Sequence, residues 1–161
     1  MNAIEQSKSE YDEILSVLLT ANSLCKIIAD SFEAIMPKGD DDPFELIDIK
    51  YSIDYLFRII TDYQDCITYS LCKHNDLHSG YMGAYYLLVT ITSAVENAND
   101  KNEDSPYKLE AIQESLWIFN KMLAIFIDKY SKMEKEIVDT LYSISSEGSQ
   151  ETLKKSMNQE D

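Results

Sequence analysis

Residues 109–144 read LEAIQESLWIFNKMLAIFIDKYSKMEKEIVDTLYSI, and an apolar residue recurs there at every third or fourth position. The recurring positions are Leu109, Ile112, Leu116, Phe119, Leu123, Phe126, Tyr130, Met133, Ile137, Leu141 and Ile144. This spacing predicts a helix whose single apolar stripe is buried against other helices. Ser105 and Pro106 supply an N-cap and a first-turn proline, so we expect this helix to run from there to about Ile144.

Three earlier stretches carry the same kind of stripe. Their apolar positions are Ile14, Leu18, Ala21, Cys25, Ile28, Phe32 and Ile35; then Leu46, Ile49, Ile53, Leu56, Ile60, Tyr63 and Ile67; then Tyr81, Ala84 or Tyr85, Leu88, Ile91 and Val95. Pro37 and Gly39 are expected to end the first helix near Met36. Asp42 and Pro43 should begin the second, which continues to about Lys73. The third helix is expected from about residue 80 to 95.

Four such helices joined by short connections favour antiparallel neighbours. We therefore predict an all-α chain: an antiparallel up-down-up-down four-helix bundle with a long C-terminal helix. Residues 1–145 would form this single helical-bundle domain, and residues 146–161 a disordered polar tail. At 1.5 Å per residue the fourth helix would be about 60 Å long and the third about 28 Å, so the fourth must overhang. The first turns of helix one (Ile4, Tyr11) would cover part of the overhang, and a second subunit the remainder.

The net charge of the chain limits the kinds of function that the sequence predicts. The chain has 14 Lys and Arg residues against 29 Asp and Glu, a formal net charge of -15, and Arg58 is its only arginine. Direct nucleic-acid binding is therefore not expected, because phosphate recognition depends on clustered cations. We find neither a signal peptide nor a run of membrane-spanning length, the most apolar segment (116–127) being interrupted by Asn120 and Lys121. These features predict a cytoplasmic protein without membrane contact.

One candidate partner-binding surface lies on the second helix, opposite its core stripe. Tyr51, Tyr55, Arg58 and Asp62 are spaced to form one outward ridge. Tyrosine beside arginine is the typical composition of an interface hot spot, so we expect this ridge to bind a partner protein. The alternative is that the rings lie flat on the helix with their hydroxyls in water.

The middle of the fourth helix is apolar on more than one face. Beside the stripe it carries Trp117, Ile118 and Ile125, which we select as the candidate self-association surface. A two-faced helix is either the central helix of its own domain or part of an oligomer interface, so a homodimer and a monomer both remain open.

A third candidate surface is an acidic end made by the first connection and the second helix. It contains Asp40, Asp41, Asp42, Asp48 and Asp54. Such a cluster could attract a partner with a basic surface and accelerate encounter. The alternative is that these acids simply complement the N-terminus of a helix dipole.

Residues that could carry chemistry concentrate in the turn from Cys72 to His78, which contains both histidines of the chain. A thiol, two imidazoles and the Asp76 carboxylate are zinc ligands by type, but their spacing fits no familiar zinc site. No catalytic constellation or glycine-rich phosphate loop is readable. We therefore expect no catalytic residue, no metal and no cofactor, and three reduced cysteines (Cys25, Cys66, Cys72) packed as small hydrophobes.

The sequence favours a non-enzymatic cytosolic protein–protein interaction module, such as a regulator, an inhibitor or an immunity-type binder. One alternative is an acidic nucleic-acid mimic that blocks a nuclease or a DNA-binding protein. A second alternative is a metal-dependent enzyme that uses His74 and His78.

Overall fold

The computed structural model describes the backbone of residues 2–35, 46–98 and 106–157, and the side chains of 2–32, 49–97 and 110–146. Across these ranges the chain forms no strand and six α-helices: α1 Ala3–Ile35, α2 Leu46–Asp62, α3 Gln64–Ser70, α4 Asn75–Ala98, α5 Pro106–Lys132 and α6 Glu134–Met157. The all-α prediction is thus confirmed. The predicted end of the first helix depends on Pro37 and Gly39, and the predicted start of the second depends on Asp42 and Pro43. These four residues and the Ser105 cap lie outside the described residues.

Helix α1 begins with a reciprocal cap. The Asn2 side-chain oxygen accepts from the Glu5 backbone N–H at 2.8 Å, and the Glu5 carboxylate accepts from the Asn2 N–H at 2.9 Å. Each side chain satisfies an N–H group that the first turn leaves without a helical partner. The helix therefore begins at Ala3.

Two of the predicted helices are interrupted by one residue each. Tyr63 separates α2 from α3, and Met133 separates α5 from α6. At each break the backbone N–H bonds three residues back, from Tyr63 to Ile60 at 3.3 Å and from Met133 to Tyr130 at 3.2 Å. Neither position is glycine or proline, so the usual sequence signals of a helix end are missing there. The prediction of uninterrupted second and fourth helices is wrong.

Two further boundaries differ from the prediction. Helix α4 begins at Asn75, so the predicted turn up to His78 is shorter than expected. Helix α6 continues to Met157 and thus extends into the segment 146–161.

Helix α1 runs antiparallel to α5 and α6. Near the start of α1, Lys8 contacts Glu134 and Tyr11 contacts Tyr130. Farther along α1, Asn22 contacts Asn120 and Ala29 contacts Gln113. Residue numbers on α5 and α6 thus fall by the same amount as those on α1 rise, to within one residue, as expected of antiparallel helices that lie side by side. The Lys8–Glu134 ion pair lies just beyond the break at Met133 and follows the same series.

The other long helices also contact one another in pairs. Helix α1 meets α2, α2 meets α4, and α4 meets α5. Tyr81 of α4 contacts Phe126 of α5, with ring centroids 5.4 Å apart. Two residues later on α4, a Cβ on Gly83 would lie 3.3 Å from the Met122 Cε, so α4 and α5 are also neighbours at this level.

A chain of aromatic rings joins four helices through the core. Tyr11 of α1 stacks on Tyr130 of α5 at 5.2 Å between centroids, with the planes 5° apart. The contacts continue from Tyr130 to Phe126 at 5.6 Å and from Phe126 to Tyr81 of α4. Tyr85 then links α4 to Phe57 of α2 at 6.3 Å. Offset and tilted ring pairs stabilise a core beyond the area that they bury.

The C-terminal part of the predicted fourth helix is covered within the chain. Ile137 is fully buried and Leu141 is 6% exposed, because α1 and α3 both contact α6. Tyr11 of α1 is buried and stacks on Tyr130, near the start of this part, whereas Ile4 is 60% exposed. A second subunit is not needed to bury these two side chains.

Helix α1 is more apolar than the sequence analysis allowed. By length and hydropathy alone, Ala3–Phe32 could cross a membrane, and it is the one such helix among the described residues. By length and hydropathy, the prediction that no segment could span a membrane is therefore wrong. The reason is that no residue between Glu13 and Lys26 is charged. In this fold, Tyr11, Leu18 and Phe32 of the same helix are buried in the core.

The three cysteines are free thiols in two environments. Cys25 is buried and donates to the Leu116 carbonyl at 3.3 Å, and burial raises its pKa to about 12. Cys66 and Cys72 are exposed, so the prediction that all three pack as small hydrophobes is wrong for these two. Cys66 lies between the stripe positions Tyr63 and Ile67, and Cys72 lies in the turn after α3.

We expect thiol reagents to distinguish these environments. At pH 8, iodoacetamide should alkylate Cys66 and Cys72 at least about 1000-fold faster than Cys25, because only the thiolate reacts and burial suppresses it. Peptide mass spectrometry of native and urea-unfolded protein measures this ratio. Comparable labelling of Cys25 in the native protein would contradict its buried position.

Candidate interaction groove

A groove runs along the outer junction of α1 and α2. It has a volume of about 410 Å³ and is lined by Ser16, Val17, Thr20, Tyr55, Arg58, Ile59, Asp62 and Tyr63. We call it the α1/α2 groove. It contains three of the four residues predicted to bind a partner, and they face a wall of α1 that the sequence did not suggest.

Helical spacing places the predicted ridge on the outside of α2. Ile53, Leu56 and Ile60 bury the opposite face in the core. Tyr51 and Tyr55 are 65% and 61% exposed, so their rings are available to a partner rather than packed within the chain. Tyr51 lies one turn before Tyr55 on the same side and does not line the groove.

Arg58 supplies the groove with an exposed cation that forms no ion pair with any residue that the structure describes. Among the described residues, ion pairs within 4.0 Å join Lys8 to Asp12 and Glu134, and Lys132 to Asp128, and none involves Arg58. The planar guanidinium therefore keeps its donors for water or for an incoming acceptor. Asp62, one turn later, places a carboxylate beside it in the lining.

The α1 wall of the groove is uncharged and continues onto an apolar outer face. The Thr20 hydroxyl donates to the Ser16 carbonyl at 2.8 Å, so it is already satisfied within its own helix. Beyond the groove, Leu19 and Ile27 are 49% and 62% exposed on the outer side of α1. Their positions outside the core stripe were the available sequence signal for this second apolar face.

Tyr63 closes one end of the groove. Its hydroxyl donates to the Glu13 carboxylate at 2.6 Å, a bond that ties the break between α2 and α3 to α1. The same bond raises the pKa of Tyr63, because the neighbouring carboxylate opposes ionisation of the phenol. The ring thus remains a neutral donor, fixed across the junction of the two helices.

The predicted self-association residues divide into two environments. Ile118 and Ile125 are 53% and 59% exposed, and their separation of seven residues places them on one line of α5. Trp117 is half-buried and packs against the core. Whether the two isoleucines join two copies of the chain stays a prediction.

Most of the predicted acidic end cannot be placed. Asp40, Asp41 and Asp42 lie outside the described residues, and only the backbone of Asp48 is described, in α2. Asp54 is half-buried, one residue before Tyr55. The acidic-end hypothesis and the nucleic-acid mimic that depends on it stay predictions.

With the residues that the structure describes, the histidine turn forms no metal-binding cluster. The His74 Nε2 lies 3.5 Å from the Thr140 hydroxyl of α6, while Cys72 is exposed. Within the described parts of the chain, no group of three or more His, Cys, Asp and Glu side chains is placed to hold a metal ion. This geometry offers no support to a metal-dependent enzyme that uses His74 and His78.

The fold and the groove together define an acidic, all-helical chain with an aromatic cleft between two of its helices. No family model, curated protein or solved structure matches this chain.

Proposed function

We propose that this chain is a non-enzymatic protein-interaction module of the cytoplasm that binds another protein through the α1/α2 groove. It would act as a regulator, an inhibitor or an immunity-type binder, with a partner whose surface is basic overall. The observation that carries the proposal is the grouping of Tyr55, Arg58 and Asp62 along one groove.

The composition of the groove supports a protein partner. Tyrosine and arginine bury large areas with few lost degrees of freedom, and they are enriched where interface energy concentrates. The exposed ring of Tyr55 gains from losing water, and Arg58, which forms no ion pair with a described residue, gains an acceptor. The chain has 29 acidic residues against 14 basic ones, and the resulting negative charge would attract a basic partner from a distance.

We propose that the six helices act as four rods, with α2 continuing into α3 and α5 into α6. The contacts between α1 and α2, α2 and α4, α4 and α5, and α5 and α1 support an up-down-up-down four-helix bundle. Such a bundle would present the groove on rigid walls, which lowers the entropic cost of binding.

The groove proposal predicts a selective loss of binding. The variant Tyr55→Ala/Arg58→Ala should bind its partner at least about 30-fold more weakly than wild type, because two hot-spot side chains are removed together. Quantitative affinity purification from the native host identifies proteins retained by wild type, and titration calorimetry with the purified partner then measures the change.

The matched control is Tyr86→Ala/Lys121→Ala, which removes an exposed tyrosine from α4 and an exposed cation from α5. It should bind the same partner within about twofold of wild type, as expected of residues outside the interface. Equal binding by the groove variant and wild type, with both folded by circular dichroism, would refute the proposed surface.

A further inference from the structure

A second cavity adjoins the groove at its closed end. It has a volume of about 260 Å³ and is formed by α1, α3 and α6 together with Tyr63. We call it the α1/α3/α6 pocket. It is lined by Glu10, Glu13, Ile14, Tyr63, Cys66, Tyr69, Leu141, Ile144 and Ser145.

The pocket lies beside the break at Tyr63. Helix α2 ends at Asp62, and α3, which begins at Gln64, contacts α6. The buried side chains of Ile14 and Leu141 form an apolar base, 2% and 6% exposed. Tyr69, 62% exposed, provides an aromatic wall toward solvent.

The charged groups of the pocket all have one sign. Glu10 and Glu13 lie three residues apart on one side of α1, and no lining residue is basic. Glu13 already accepts from Tyr63, and Glu10 accepts from Gln6 at 3.3 Å, which leaves each carboxylate with further acceptor capacity. The lysines nearest in sequence are engaged elsewhere, Lys8 with Asp12 and Glu134, and Lys73 with Ser143.

An apolar base, two aromatic rings and two carboxylates suit a cation carried on an aliphatic stem. The stem would displace water from Ile14 and Leu141, while the charged head stays near the carboxylates and the tyrosine rings. A purely apolar side chain would bury the base equally well but would leave both carboxylates without a cationic partner. The charge of the lining therefore distinguishes between these occupants.

We propose that the α1/α3/α6 pocket receives the side chain of a lysine or arginine from the protein bound in the α1/α2 groove, an inference that rests on the proposed function. Tyr63 lines both cavities, so one partner segment lying along α1 reaches from Tyr55 to Glu10 without leaving the surface. The pocket would then select partners with a basic residue at the Tyr63 end of the contact.

The test uses n-pentylammonium as a probe of the lysine side chain and follows the isoleucine methyl groups of the full chain by NMR. Titration should shift the methyl signals of Ile14 and Ile144, which line the pocket, with half-saturation in the millimolar range expected for so small a ligand. Ile118 and Ile125, on the outer face of α5, should not shift. Neutral 1-pentanol should bind at least about fivefold more weakly, since it lacks the charge.

Matched variants separate the pocket from the general negative field of the chain. Glu10→Gln/Glu13→Gln retains both acceptors but lowers the pocket charge, and it should weaken n-pentylammonium at least about tenfold. Glu110→Gln/Glu114→Gln makes the same change in net charge on exposed positions of α5, and it should leave the affinity within about twofold.

Three results would overturn the inference: no shift of Ile14 and Ile144, equal binding of 1-pentanol, or equal weakening by the two double variants. Because the probe is a small cation, these results do not depend on any partner. A failed titration with a normal loss of partner binding in Tyr55→Ala/Arg58→Ala would remove the pocket inference and leave the groove proposal intact.

Discussion

Replacing Phe126 by alanine is expected to lower the free energy of unfolding by about 3–5 kcal/mol, the largest effect of any single change considered for this chain. Phe126 is 3% exposed and stands in the middle of the aromatic chain, in contact with Tyr81 on one side and Tyr130 on the other. Its removal leaves a cavity between α4 and α5 and breaks the ring contacts with Tyr81 of α4 and Tyr130 of α5. Urea unfolding followed by circular dichroism measures the change.

The neighbouring position supplies the control for Phe126. Ile125 is 59% exposed, and Ile125→Ala should change the free energy of unfolding by no more than about 0.5 kcal/mol, as is usual for surface positions. Losses of similar size in the two variants would contradict the placement of the aromatic chain in the core.

Replacing Ile137 by alanine is expected to lower the free energy of unfolding by about 2–5 kcal/mol, by the same amount at every protein concentration. Ile137 is fully buried under helices of its own chain, so its loss acts within one molecule. Urea unfolding of wild type and variant at about 1 μM and about 100 μM tests both parts of the expectation.

The exposed neighbour Asp139 provides the comparison for Ile137, and Asp139→Ala should remain within about 0.5 kcal/mol of wild type. A difference between Ile137→Ala and wild type that grows with protein concentration would mean that a second subunit covers this part of α6. The cover by α1 and α3 would then be incomplete.

The stripes and the core were predictable from sequence because helical periodicity fixes which residues share a face. Leu18, Leu56, Leu88 and Leu123 lie on the four stripes, and each is fully buried. The ridge on α2 was predictable for the same reason, since Tyr55, Arg58 and Asp62 recur at helical spacing opposite the stripe.

The breaks were not predictable, because apolar residues keep their spacing through Tyr63 and Met133 while the backbone bonding changes. An apolar stripe shows which way the side chains point. It hardly changes when a single backbone N–H bonds three residues back. The reciprocal Asn2 and Glu5 cap, by contrast, had a readable signal in its spacing of three.

The groove wall and the pocket required the tertiary structure. The pocket combines Glu10, Tyr69 and Leu141, which are far apart in sequence and share no periodic pattern. Likewise, nothing in the local sequence of α1 states that Ser16 and Thr20 face Tyr55 across a groove. Which helices are neighbours, and in which register, decides these sites.

Arg58 allows the groove to be modified selectively by a chemical reagent, without any mutation. Since no other guanidinium occurs in the chain, a dicarbonyl reagent selective for arginine would modify the protein at one place, and that place is exposed. Protection of this single adduct site by a bound macromolecule would footprint the complex directly, even before the identity of the macromolecule is known.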